Sequence, residues 1–139
     1  MTASADRLLR RTLWGNSMFS LVSGVLLAAF ATPFAAAAAR APLTVVGLDF
    51  ATVLELLGVG VVIFGALCAW IASRNPLPGA WARAIFAADL AWVVGSVSVL
   101  LLPASWTTAG VVGIAILAVI VADLAILEYL GLRRLDSAN

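Results

Sequence analysis

Histidine and lysine are absent from this chain, and cysteine occurs once. Without histidine there is no bis-histidine haem ligation, no imidazole-based zinc site and no histidine-dependent catalytic triad. A lone Cys68 forms no intrachain disulfide, no C-x-x-C redox pair and no iron–sulfur ligand set. In its LCAW setting it reads as a small buried apolar side chain. Charge is scarce as well: 11% of 139 residues, against about 25% in a soluble domain. The net charge of +1 gives no reason to expect a nucleic-acid partner. No glycine-rich phosphate loop and no nucleophile elbow occurs, and the glycines fall singly within apolar runs, as membrane helices tolerate. With neither a nucleophile–base pair nor a metal-ligand set, the chain is expected to be non-enzymatic, with no cofactor and no metal.

What is present is hydrophobicity, 64% of the chain where about 45–50% is ordinary. Lipid is therefore the expected solvent. The apolar runs predict four membrane-spanning helices over about 13–36, 52–73, 80–102 and 109–132, each long enough for an apolar layer about 30 Å thick. The fold class is all-α: one four-span domain covering 1–139, an up-down-up-down four-helix bundle. Residues 1–12 read as a polar, basic lead-in. Arg10-Arg11 ahead of an apolar run also resembles a secretory or twin-arginine signal, but the run is nearer a full span and is seeded with Asn16, Ser17, Ser20 and Ser23. The connection over 37–50 is apolar enough to lie against the bilayer surface. Arg74-Asn-Pro-Leu-Pro-Gly79 breaks the helix, and Pro103 to Thr107 is a tight turn in which Thr107 or Thr108 can cap the last helix.

Arginine sets the expected orientation. Arg7, Arg10 and Arg11 precede the first span, Arg74 and Arg83 flank the second connection, and Arg133 and Arg134 follow the last span, while the other two connections hold Arg40 alone. The positive-inside rule then puts both termini in the cytoplasm, and Trp14, Trp70, Trp81 and Tyr129 fall at that headgroup level. All basic residues being arginine, together with abundant alanine, suggests a GC-rich bacterial genome and hence a bacterial inner membrane.

A shift of 73 residues aligns Asn16 with Asp89, Phe19 with Trp92 and Ser23 with Ser96. Each triplet occupies one helical face. Two parallel helical hairpins, related by an axis along the membrane normal, would produce this pattern. Small residues at four-residue spacing (Ser20, Gly24, Ala28; Gly65, Ala69; Ala87, Ala91, Gly95) predict close crossings of the first three spans.

Two carboxylates lie at membrane depth, where a charged group costs a few kcal/mol. Asp89 is six residues inside Arg83 and Asp123 ten before Arg133, roughly 9 Å and 15 Å at 1.5 Å per residue. No cation shares their level, so a neutral, hydrogen-bonded acid is the expected state. Asn16, Ser20, Ser96, Ser98 and the Trp92 indole are the candidate partners. Asn16, Asp89 and Asp123, with Trp92 and Ser96, are therefore the candidate proton or ligand site, with the three converging in one layer. Glu128 is expected in a surface ion pair with Arg83 or the terminal arginines, and Glu55 at the interface.

Two functional expectations follow. One is a structural or accessory membrane subunit that meets lipid and a membrane-protein partner or a second copy through its helices. The alternative is a proton-coupled small-molecule carrier using Asp89 and Asp123. Size and four-span layout resemble the small multidrug resistance transporters. That resemblance implies a carboxylate in the first span, and this sequence has Asn16 there instead.

Overall fold

The computed structural model of the chain describes residues 2–102 and 106–137, with side chains from residue 6 onward. Five helices and one small hairpin follow in order: α1 Thr2–Ala29, α2 Ala31–Ala38, β1 Thr44–Val45, β2 Leu48–Asp49, α3 Phe50–Ser73, α4 Gly79–Leu101 and α5 Thr108–Asp136. Four of them are long and apolar enough to cross a membrane, and their outward faces carry Met18, Ile63, Val94 and Val119, each more than half exposed. An apolar exterior of this kind belongs in lipid. The protein is an all-α, multi-pass membrane bundle.

The expected first span is longer than predicted and is interrupted. The polar, basic lead-in is helical from Thr2, where Ala3, Ala5, Arg7, Leu8, Leu9, Arg10 and Arg11 are good helix formers. Arg10 pairs with Asp6 one turn back at 3.0 Å, and Leu9 is fully buried. The interruption at Phe30 has a local cause in Pro33. Its ring crowds the carbonyl of Ala29, and its nitrogen has no hydrogen to donate there. Hydrogen bonds from Phe30 N–H to the Leu26 carbonyl (2.9 Å) and from Phe34 N–H to the Phe30 carbonyl (3.0 Å) carry the chain through the break.

The connection over 37–50 holds a two-residue antiparallel hairpin, Thr44 opposite Asp49 and Val45 opposite Leu48. Val46 and Gly47 both have positive φ (52° and 81°), as a tight two-residue hairpin turn requires. Asp49 then caps α3, its Oδ1 accepting from the Thr52 N–H at 3.0 Å and its Oδ2 from the Thr52 hydroxyl at 2.6 Å. These bonds hold the Asp49 carboxyl below its ordinary value of 3.8. Thr107 caps α5 as expected: its Oγ1 accepts from Gly110 N–H at 2.9 Å. The same residue ties down the end of α2, its N–H donating to the Ala38 carbonyl at 2.9 Å and its hydroxyl to the Ala37 carbonyl. Pro103 to Ser105 of the expected tight turn lie outside the described residues.

Packing runs in the order α3–α1–α5–α4: α1 lies between α3 and α5, and α4 rests mainly on α5. The α1–α3 crossing is close along several turns. A methyl group added at Gly24 would sit 2.8 Å from the Gly58 carbonyl oxygen, and one at Gly58 would sit 2.5 Å from the Ala28 nitrogen. Gly65 meets Ser20 and Leu21 at 3.0 Å in the same way, so the small-residue stripe on α1 does what its spacing predicts. The corresponding prediction for the third span fails. Ala87, Ala91 and Gly95 on α4 are exposed, and nothing lies within 4 Å of a methyl built on Gly95, because α4 packs through Ala82, Ile85 and Asp89 instead. At the end carrying the chain termini the helices close over Leu9, Leu13, Cys68, Ile71, Ala72, Leu77, Ala82, Ile85 and Leu132. Arg10 reaches from α1 to the last carbonyls of α3, donating to Ala72 and, at 2.8 Å, to Arg74, where a cation complements the helix terminus.

Candidate functional site

Directly beneath this apolar cap the bundle holds a buried polar node. Asn16, on the inward face of α1, directs both amide hydrogens at acids: Nδ2 donates to Asp89 Oδ2 on α4 at 2.6 Å and to Glu128 Oε1 on α5 at 2.9 Å. Ser20, one turn along α1, donates to Asn16 Oδ1 at 3.1 Å, and this fixes which end of the amide faces the carboxyls. All four side chains are shut away from the surroundings, Glu128 completely and Asp89 with 4% exposed. No Cα of α1 lies within 8 Å of a Cα of α4 among the described residues. The Asn16–Asp89 hydrogen bond therefore spans a gap that main-chain packing does not close.

Each member is in place for a local reason. Asn16 continues the buried stripe Leu9, Leu13, Ser20 and Gly24 at the three- and four-residue spacing of one helical face. Asp89 is one turn beyond Ile85 on the sole buried stripe of α4. Glu128 follows Ala118, Val121 and Ala125 on α5 and precedes Leu132. Gly131, one turn on, lets the α5 backbone approach Leu9 so closely that an added methyl would sit 2.8 Å from the Leu9 Cβ. That approach brings α5 up against α1 and delivers the long Glu128 side chain to Asn16.

The polar layer contains a different second acid from the one expected. Asp123 is exposed on α5, five residues before Glu128 and so about 140° around the helix at 3.6 residues per turn. It lies on the face turned away from α1 and does not join Asn16 and Asp89. Glu128 occupies that role, and the surface ion pair expected of it does not form. Arg83 instead pairs with Asp136 at 2.5 Å, both groups more than half exposed. Trp92 stands one turn from Asp89 with an enclosed indole N–H that has no partner among the described residues. Ser96, a further turn on, is half-buried and outside the hydrogen-bonded node. One oxygen of Glu128, Oε2, is likewise enclosed and unpartnered.

Chemically the node is two carboxyl groups, one carboxamide and one hydroxyl, with no arginine bonded to either acid among the described residues. A carboxamide supplies two donors and no charge. It can hold the two acids side by side without neutralising them. Such a group can bind or release a proton, and it can lock three helices in register. No protein family, no curated protein and no solved structure matches this chain.

Proposed function

We propose that this chain is a small, non-enzymatic subunit of a bacterial inner membrane, with both termini cytoplasmic, acting through its helices rather than through any extramembrane domain. On this reading the Asn16–Asp89–Glu128 node is the internal lock that sets where α4 stands relative to α1 and α5. The observation that carries it is the Asn16–Asp89 hydrogen bond across a gap the two backbones do not close. In lipid there is little hydrophobic force to press helices together, so a buried polar link of this kind specifies arrangement. Arginines gathered at the end with the termini, and aromatic residues level with them, support the orientation. Arg74 lies 4.6 Å over the Trp70 ring, which meets Trp81 edge to face at 6.1 Å.

A second reading is favoured by one specific observation, the enclosed Glu128 Oε2 without a partner. A proton carried there would make the node the coupling site of a proton-driven carrier for a lipophilic cation, with Asp89 and Glu128 as the acids. Reconstitution in liposomes separates the two. The lock predicts no proton release on adding tetraphenylphosphonium and no flux driven by a pH gradient. It also predicts that Asp89→Asn and Glu128→Gln alter thermal stability alone. Substrate-dependent proton release that both variants abolish while remaining folded would establish the carrier instead.

A further inference from the structure

Charge is scarce at the end of the bundle away from the chain termini. In the stretches 30–60 and 95–115, which form that end, only Arg40, Asp49 and Glu55 are charged. Two of them, Arg40 and Asp49, line one open groove of about 370 Å³ between α2 and the start of α3. Its floor is apolar, built from Ala35 and Ala39 of α2, Pro42 and Leu43 of the connection, and Phe50 and Ala51 of α3. Asp49 caps the span α3, so the groove sits where the apolar layer gives way to headgroups. Its two charges do not neutralise each other. No ion pair joins them, and no acid of the chain pairs with the Arg40 guanidinium, among the described residues. Asp49 accepts from the neutral N–H and hydroxyl of Thr52, which leaves its negative charge in place and further lone pairs free.

We propose that this groove binds one phospholipid whose headgroup carries both a phosphate and a primary ammonium, as phosphatidylethanolamine does. The phosphate meets Arg40, the ammonium meets Asp49, and the glycerol and first acyl carbons lie on the apolar floor. A guanidinium fork matches two phosphate oxygens at once. A primary ammonium brings three N–H donors to the carboxylate, whereas a choline headgroup brings none. A purely anionic lipid satisfies Arg40 and is repelled by Asp49. A soluble ester with the same headgroup leaves the floor uncovered, and lipid is already the solvent on this face. Nothing in this reading depends on which side of the membrane the groove faces, or on the role of the Asn16 node.

Native mass spectrometry of the full chain tests it, with phosphatidylethanolamine, phosphatidylcholine and phosphatidylglycerol of identical acyl chains supplied in equal amounts. One phosphatidylethanolamine is expected to stay bound several-fold more often than either competitor. Arg40→Gln should cut retention of both phosphatidylethanolamine and phosphatidylglycerol. Asp49→Asn, which can still cap α3, should erase the preference for phosphatidylethanolamine over phosphatidylglycerol and leave the latter bound. Glu55→Gln alters an exposed charge at the same end that does not line the groove, and it should change nothing. Glycerophosphoethanolamine at the same concentration should not displace the lipid. Equal retention of the three lipids, a preference for phosphatidylglycerol, a phosphatidylethanolamine preference that survives both Arg40→Gln and Asp49→Asn, or displacement by the soluble ester would overturn the proposal.

Discussion

Asn16 and Asp89 stand 73 positions apart in sequence and 2.6 Å apart in space, Nδ2 to Oδ2. The same amide serves Glu128 at 2.9 Å, so one neutral side chain holds two acids on two other helices. Removing it leaves two enclosed carboxyls without their donor, and each unsatisfied buried group costs about 1–3 kcal/mol. Asn16→Ala is expected to lower the midpoint of unfolding in SDS or heat clearly, and more than Ser20→Ala does. The combined variant Asn16→Leu, Asp89→Leu, Glu128→Leu should lose less than the three single losses summed, because apolar residues of similar size leave nothing unsatisfied. Additive losses would mean the three side chains are not coupled.

Glycine substitutions should divide sharply by position. Gly58→Leu places a side chain where even a methyl sits 2.5 Å from the Ala28 nitrogen, so α1 and α3 must separate. The cost is expected at about 1–3 kcal/mol or more. Gly95→Ala and Gly113→Ala meet nothing within 4 Å and should be neutral or stabilising by up to about 1 kcal/mol, the helix preference of alanine over glycine. Thermal unfolding of the three variants in one detergent checks the ordering.

Thr107 joins two helices that are not consecutive. Its hydroxyl caps α5 through the Gly110 N–H and also donates to the end of α2. Thr107→Val keeps the shape and loses both roles, at an expected cost of about 1–2 kcal/mol. Thr107→Ser should restore most of that loss. Equal stability of Thr107→Val and the parent would show that the junction contributes nothing.

Asp49 gives a titration outside the membrane spans. Its carboxyl is held below the ordinary value of 3.8, first by the Thr52 hydroxyl and then by the Thr52 N–H. Because the folded value is depressed, the cap is intact above the unfolded value and is lost as pH falls through the folded one, below about 3.8. The Thr52 amide proton resonance should therefore move with an inflection below that value, and Asp49→Asn should remove the inflection. An inflection at or above 3.8 would contradict the cap.

Much of the fold is legible from hydropathy alone, because four apolar stretches of sufficient length leave little choice but four spans. Helix ends with strong chemistry, Arg74 to Gly79 and Thr107, are legible for the same local reasons that make them ends. The pairing of Asn16 with Asp89 is foreshadowed by their equivalent positions on two spans that run the same way. The choice between Asp123 and Glu128 is where depth misleads, since Glu128 lies nearer the arginines and looks like an interfacial charge. The signal that separates them is angular. Glu128 continues Ala118, Val121 and Ala125 on the side that Gly131 brings against α1, whereas Asp123 sits between Val119 and Ile126 on an exposed aliphatic stripe. The fate of the Ala87, Ala91 and Gly95 stripe could not be read from spacing, because a small-residue face says that close approach is permitted and not which helix makes it.

The three-way contact at Asn16 can be measured by solid-state NMR of the protein in bilayers. With the Asn16 side-chain nitrogen labelled against the Asp89 and Glu128 carboxyl carbons, both carbons should lie within ~4 Å of that one nitrogen, as N–H···O hydrogen bonds require. Neither carboxyl should show transfer from water on the same timescale. A Glu128 carbon beyond that reach, or one in rapid contact with water, would contradict the buried node.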